Sequence, residues 1–273
     1  MHSVGVVGVI FQNITYSVTV PLWIFLHLLT SPVAKGGSHA NTIVSVSPLD
    51  LKILPFSIIL GYILPAILMG LPSPSVVSTV QRQRLIALWQ PFPIWCVIIQ
   101  TIISTALGGR AKNHDSQARN WNSYLKAAQG VYTFVTALCV VTHLPVLLLT
   151  ILPQSVFPAT SHHLQYLSAQ SFSWVYVPYL PSLSHQVPSF AAGVHLFLQW
   201  DLYIGGTALL MWGILLERNT TAEKVALGGK GESWARLLSR VTLRMVLAGP
   251  VGSLAMLLWE RDSIVEGKTN NKL

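Results

Sequence analysis

Charge is what this chain has least of. Only 10% of its 273 residues are Asp, Glu, Lys or Arg, where about 25% is usual in soluble domains. A chain so poor in charge is not built to fold in water. Its 9 acidic residues form no Asp-Asp-x-x-Asp run or similar diphosphate-binding pair in or near an apolar stretch. That argues against Mg²⁺-held diphosphate chemistry, which wants clustered carboxylates. No His-x-x-x-His or Glu-x-x-His pair points to zinc or di-iron, and no Gly-x-Ser-x-Gly elbow, P-loop or dinucleotide fingerprint occurs. Neither a metal nor a redox cofactor is expected. The 2 cysteines, Cys96 and Cys139, both fall inside apolar runs and read as small packing residues.

What is present in abundance is apolar length. Six stretches approach or exceed the roughly 20 residues needed to cross a hydrocarbon core. They lie near 4–30, 53–72, 84–107, 129–152, 190–216 and 237–259. The expectation is an all-α, polytopic transmembrane bundle forming a single integral-membrane domain over 1–273. A seventh crossing near 164–182 is weakened by Ser, Gln and the prolines Pro178, Pro181 and Pro188, so an interfacial or re-entrant segment is expected there. The first apolar stretch lacks a basic n-region and is too long for a signal peptide, so it should remain as a span.

The formal charge of +8 does not indicate nucleic acid, because the basic residues sit in loops between spans. Alternating loops place Lys35, Lys52, Arg110, Lys112, Arg119, Lys126, Arg218, Lys224, Lys230, Arg236 and Arg240 on one side. Arg82, Arg84, Arg261, Lys268 and Lys272 fall on the other, with Arg244 just inside the last span. The richer side should be cytoplasmic, with both termini across the membrane from it; the endoplasmic reticulum is the expected location. The sequon at Asn219-Thr-Thr then falls on the cytoplasmic side and is discounted.

Within the spans, irregular points stand out. Pro21 is the expected kink of the first. Asp50 follows Ser47-Pro-Leu and reads as a helix start. Gly61 and Pro65 interrupt the second span. Pro91 and Pro93 remove two backbone donors from the third, exposing carbonyls one turn earlier, with Trp89 and Gln90 at the break and Trp95 about a turn beyond. Such a break is tolerated only where it is buried in protein or lines a cavity, so it reads either as a pocket edge or as an interfacial aromatic belt. Gly249-Pro250-Val-Gly252 is another local break, and Trp259-Glu260-Arg-Asp262 reads as a solvated helix end.

Asp201 is the one carboxylate well inside an apolar run, about 16 Å from one end and about 22 Å from the other at 1.5 Å per residue. A charge at that depth costs about 2.5–3.5 kcal/mol on insertion scales. Its competing bland role is a hydrogen bond between packed helices. A carboxyl held away from water favours its protonated form and can act as a general acid. Aromatic residues, 10% of the chain, stabilise positive charge without attacking it. A buried proton donor beside aromatic walls suits protonation of an alkene or epoxide followed by carbocationic ring closure.

Three strings resemble the small fungal membrane-bound terpene cyclases of meroterpenoid pathways, the ascofuranone-type group most of all. They are Gly61-Tyr-Ile-Leu-Pro-Ala-Ile-Leu-Met-Gly-Leu-Pro72, Ile86-Ala-Leu-Trp-Gln-Pro-Phe-Pro-Ile-Trp95 and Phe197-Leu-Gln-Trp-Asp201. The resemblance implies a secondary-metabolite enzyme of cyclising isomerase or lyase type, working without metal or cofactor on an oxidised farnesyl group attached to an aromatic ring. It casts Asp201 as the acid. Trp89, Gln90, Trp95, His195, Trp200 and Trp212 are candidate substrate-binding residues, and His195 or His143 could re-accept a proton. Related cyclases are thought to use a second acid in an early span; Asp50, Glu217 and Glu260 do not match it well, which leaves that role open. A proton-coupled transporter and a non-catalytic membrane scaffold remain as alternatives. The expected partners are a prenylated aromatic small molecule and the lipid bilayer.

Overall fold

The computed structural model describes residues 2–31, 46–108, 121–156, 170–180, 187–226 and 231–270. Lys35, Arg110, Lys112, Arg119, Lys230 and Lys272, with parts of the 164–182 segment, lie outside them. Every regular element among the described residues is helical. Helices α1 (His2–Ile14) and α2 (Tyr16–Thr30) are followed by α3 (Pro48–Ile58), a π-helical turn (Ile59–Ile63) and α4 (Leu64–Met69). Then come α5 (Thr79–Trp89), α6 (Phe92–Gly108), α7 (Trp121–Ile151), the short α8 (Phe172–Tyr176), α9 (Phe190–Ala226) and α10 (Trp234–Asn270).

Among the described residues, three helical stretches are long and apolar enough to cross a membrane by length and composition alone: Pro48–Met69, Ser123–Ile151 and Trp234–Ile264, the last of which turns at Gly249. A fourth is added if the pair Thr79–Trp89 and Phe92–Gly108, bent by 61°, counts as one broken span. Helix α2 is apolar but only 15 residues long. At 37 residues α9 is long enough, yet His195, Gln199 and Asp201 dilute its hydropathy.

The packing runs around the bundle as a closed sequence of neighbours. Helix α2 lies on α9, α9 on α10, α10 on α7, α7 on α3, α3 on α6 and α6 on α1. One end of the bundle is fixed by Gln100 donating to the Asp50 carbonyl at 2.9 Å and Ser104 donating to Asp50 Oδ1 at 2.8 Å. At the same end Tyr124, Leu125 and Ala128 bury against Leu51 and Tyr132. Asp50 therefore does more than begin a helix: its side chain joins α3 to α6.

Two expectations about the spans are corrected. The first apolar stretch breaks at Thr15, not at Pro21, which sits inside α2. Thr15 has φ 134°, a conformation that a β-branched residue rarely adopts and that costs of order 1–3 kcal/mol. The last stretch does not run straight from 237 to 259. At Gly249 (φ 65°, ψ −176°) α10 folds back on itself, and a positive φ is where glycine alone is unstrained. Ser253 then donates to the Val241 carbonyl at 3.3 Å, and Leu237 and Val241 bury with Leu254 and Leu257. Arg240 and Arg244 of the first arm both grip Glu260 of the second.

That reversal returns Arg261 and the helix beyond it to the end of the bundle that holds Glu217 and Glu232. Glu260-Arg-Asp262 is accordingly no solvated helix end. Asp262 is 3% exposed and Arg261 7%, and Tyr132 donates its hydroxyl to Asp262 Oδ2 at 2.8 Å. Burying a charged pair is costly unless the remaining hydrogen-bonding capacity is met; the tyrosine meets it on the Asp262 side, while Arg261 Nε is buried without a partner among the described residues.

Candidate active site

Asp201 lies on the face of α9 that packs against α2, and it meets the broken start of that helix. The backbone N–H of Ser17, in the first turn of α2, donates to Asp201 Oδ1 at 2.8 Å. The first four N–H groups of any helix lack partners within it, and inside a membrane each such orphan is costly. The carboxyl supplied from 184 positions away meets one of them. Among the described residues no donor meets the second oxygen, Oδ2. Thr15 and Ser17 join their hydroxyls at 3.0 Å beside the break.

One turn along α9, Gly205 lets the ring of Tyr16 lie directly on the helix backbone. A Cβ there would come within 3.1 Å of Tyr16 Cγ and closer still to Cδ1 and Cε1. Tyr16 is the first ring of a connected aromatic row. Phe11 sits 6.3 Å from it, edge-on, and 5.9 Å from Phe92. Phe92 in turn touches Tyr62 at 4.7 Å and Trp89 at 5.6 Å between ring centres.

Each ring owes its place to an interrupted helix. The π turn at Ile59–Ile63 carries Tyr62, and π-bulges recur at functional sites. The α5–α6 bend positions Trp89 and Phe92, and the α1–α2 break positions Phe11 and Tyr16. The indole N–H of Trp89 is buried without a hydrogen-bond partner among the described residues, so a ligand oxygen in the row would find a donor there.

The other candidates named from sequence are dispersed. Gln90 is exposed at the end of α5. The Trp95 indole donates to the Leu88 carbonyl at 2.8 Å, repairing the backbone that the α5–α6 break leaves open. Trp200 donates to the Tyr179 carbonyl at 3.0 Å, and His195 stacks on Trp174 at 4.8 Å. With Gln199, which donates to the carbonyls of Trp174 and Val175 at 2.8 Å each, they fasten the 172–180 segment to α9. Trp212 lies three turns from Asp201 and donates to His27 Nδ1 at 3.2 Å. His143 meets Tyr176 edge-on at 5.9 Å. Of the residues named from the sequence, Asp201 contacts the start of α2 and Trp89 stands in the aromatic row; Tyr16, Phe11, Tyr62 and Phe92, which lie between them, are not among those named. Tyr62 and Phe92 lie inside the strings that carry the family resemblance, which was the available signal.

A cavity of about 580 Å³ lies elsewhere, lined by Glu217, Glu232, Arg240, Arg244, Trp259 and Glu260 among others; no member of the Asp201 cluster borders it. Among the described residues no three of His, Cys, Asp or Glu gather as they would around a metal ion.

Residues 1–266 match the CtvD domain. The chain belongs to the CtvD-domain family. It is 29% identical over 263 residues to terpene cyclase ascI of Acremonium egyptiacum, covering 96% of this chain and 63% of that one. Terpene cyclase janA of Penicillium janthinellum is 30% identical over 226 residues, covering 81% and 54%. Terpene cyclase ctvD of Aspergillus terreus is 25% identical over 265 residues, covering 96% and 68%. The chain thus spans between about half and two thirds of the length of these curated relatives. No solved structure matches it.

Proposed function

We propose that this CtvD-family chain is a membrane-embedded terpene cyclase acting in fungal secondary metabolism, with Asp201 as its general acid. The membrane topology that goes with this reading has multiple crossings, with the basic end of the bundle in the cytoplasm and the protein in the endoplasmic reticulum. The substrate is an aromatic molecule bearing a farnesyl-type chain with a terminal epoxide or alkene. The proton on Asp201 Oδ2 passes to the epoxide oxygen as its C–O bond to the more substituted carbon breaks. The electron-poor carbon is then attacked by an internal alkene or hydroxyl, closing a ring. The final cation or oxonium loses a proton, so the product is an isomer of the substrate and no oxidant is consumed.

The observation that carries this reading is the Ser17 N–H held 2.8 Å from Asp201 Oδ1. As the proton leaves, negative charge grows on the carboxyl. A backbone N–H and the positive end of a helix aimed at that oxygen stabilise it at no cost of reorganisation. The aromatic row beginning at Tyr16 then offers ring faces to the carbocation, and Trp89 offers its free indole N–H to a substrate oxygen.

The same bond also supports a second reading, in which Asp201 only caps α2. The substitution Asp201→Asn separates the two, because an Asn side-chain oxygen caps a helix about as well as Asp but brings no acidic proton. With an epoxidised farnesyl-phenol, membranes carrying the Asn variant should yield protein in normal amount and turnover lower by about 10²–10⁴-fold, the usual worth of a positioned acid. Parental turnover in that variant would leave Asp201 as a cap alone.

A further inference from the structure

The charged cavity at the far end of the bundle has no part in the chemistry above, and its lining is incomplete in a specific way. Glu217, on α9, is 3% exposed. Its Oε1 accepts the Thr221 hydroxyl at 3.0 Å, while its Oε2 is buried with no partner among the described residues. Across the cavity Arg240 binds Glu232 and Glu260 through its terminal nitrogens, but its Nε is buried and unpartnered too. One orphan is an acceptor and the other a donor, and both belong to residues lining one cavity. Leaving a buried charged group short of a partner is expensive, so the lining calls for a molecule carrying both complements. Three carboxylates face two guanidiniums there, which makes a cation the fitting partner for Glu217. Trp259 in the same lining can hold a cation against its ring. Met256 and Ile264 supply the apolar shoulder.

Position narrows the ligand. Glu217 follows the apolar run of α9, 16 residues past Asp201, or about 24 Å along the helix. On a helix tilted by the usual ~20° that is about 22 Å from the hydrocarbon centre when Asp201 lies there, the outer part of the headgroup layer. We propose that this cavity binds a phosphoethanolamine group, its primary ammonium on Glu217 and Trp259 and a phosphate oxygen on Arg240 Nε. The group can arrive as the headgroup of a membrane lipid or as a free solute.

The full-length protein in neutral detergent is titrated separately with phosphatidylethanolamine, phosphatidylcholine, phosphatidylglycerol and free O-phosphoethanolamine while its unfolding midpoint is followed. A ligand that binds only the folded state raises that midpoint with concentration. The proposal expects a rise with an ethanolamine-bearing probe, and no comparable rise with phosphatidylcholine, which lacks ammonium N–H, or phosphatidylglycerol, which lacks the cation. A rise with the lipid alone identifies a headgroup site; a rise with the free solute identifies a soluble ligand. In Glu217→Gln the rise should disappear. Equal rises with all three lipids, or a rise that survives in Glu217→Gln, would overturn the assignment. Should that variant not fold, native mass spectrometry of the unaltered protein decides: preferential retention of phosphatidylethanolamine supports the site, and indifference between headgroups rejects it.

Discussion

Gly205→Ala is the sharpest probe of how Asp201 is held. The added methyl would lie 3.1 Å from Tyr16 Cγ and nearer to Cδ1 and Cε1, where carbon atoms rest at about 3.5–4.0 Å. The nearest atoms, Cδ1 and Cε1, lie off the ring's axis, so turning the ring eases the worst of the clash but leaves Cγ at 3.1 Å. The strain must go into a new Tyr16 rotamer or into separating α2 from α9. Overpacking of this kind costs about 1–3 kcal/mol. In a domain of this size each kcal/mol lowers the midpoint by roughly 2–4 °C. Separating the helices also stretches the Ser17–Asp201 bond from 2.8 Å; an outward shift of about 1 Å takes it beyond hydrogen-bonding range.

The measurement is a double-mutant cycle read by thermal unfolding and by turnover of an epoxidised farnesyl-phenol. Gly205→Ala alone should lower both. Tyr16→Ala alone opens space over Gly205, and the double variant should then be more stable than the sum of the two single effects implies, by a coupling of about 0.5–3 kcal/mol. Additive effects, or a Gly205→Ala protein with parental stability and turnover, would refute the contact and with it the account of how Asp201 meets α2.

Further outcomes follow from the other breaks. Trp95→Phe removes the donor to the Leu88 carbonyl and should cost about 1–3 kcal/mol of stability in thermal unfolding. Tyr132→Phe removes one of the two tyrosine hydroxyls that bond the Asp262 carboxyl and should destabilise by about 1 kcal/mol, with turnover per folded molecule unchanged because Asp262 is remote from Asp201. Gly249→Ala forces a Cβ into an essentially glycine-only conformation (φ 65°, ψ −176°) and should cost of order 1–3 kcal/mol, loosening the α10 hairpin in hydrogen exchange. Because that hairpin reverses the chain, a tag at the C-terminus and one inserted between α9 and α10 should share the same protease accessibility in sealed vesicles. A tag in the 73–77 loop should show the opposite, and accessibility of the C-terminal tag matching that loop would disprove the reversal.

The helical class was legible because apolar length and scarce charge leave a membrane bundle as the economical solution. The break at Pro91 and Pro93 was legible because proline removes specific donors, and it emerges as the 61° bend. The break at Thr15 was not. No glycine or proline marks it, Pro21 nearby offers a false signal, and the group that stabilises it stands 184 residues away. The packing of His195 and Trp200 against the 172–180 segment was not legible, because nothing local reveals that this segment returns to them. The α10 reversal did leave a trace in Arg244. On a straight helix Arg244 and Glu260 would stand about 24 Å apart. An arginine inside a span needs a partner, and Glu260 can serve only if the chain turns back at Gly249.

That reversal also changes the meaning of the charges. With the second arm returned to the end that carries Glu217, Arg261 joins the basic side, and Lys268, farther along the same helix, follows it. Among the described residues, Arg82 and Arg84 are left as the basic residues of the opposite side. The asymmetry that suggested an orientation becomes stronger once the C-terminal helix is taken from the structure instead of from hydropathy. The same logic links the three interruptions around Asp201. A continuous helix presents no polar backbone to the membrane interior, so it cannot stabilise charge that appears during a reaction. An interrupted one exposes N–H groups, and here one of them is aimed at the single carboxyl of that region. The strain at Thr15 is understandable on these terms: it opens the first turn of α2 toward Asp201. A variant that healed the α1–α2 break into one smooth helix would then be more stable and less active.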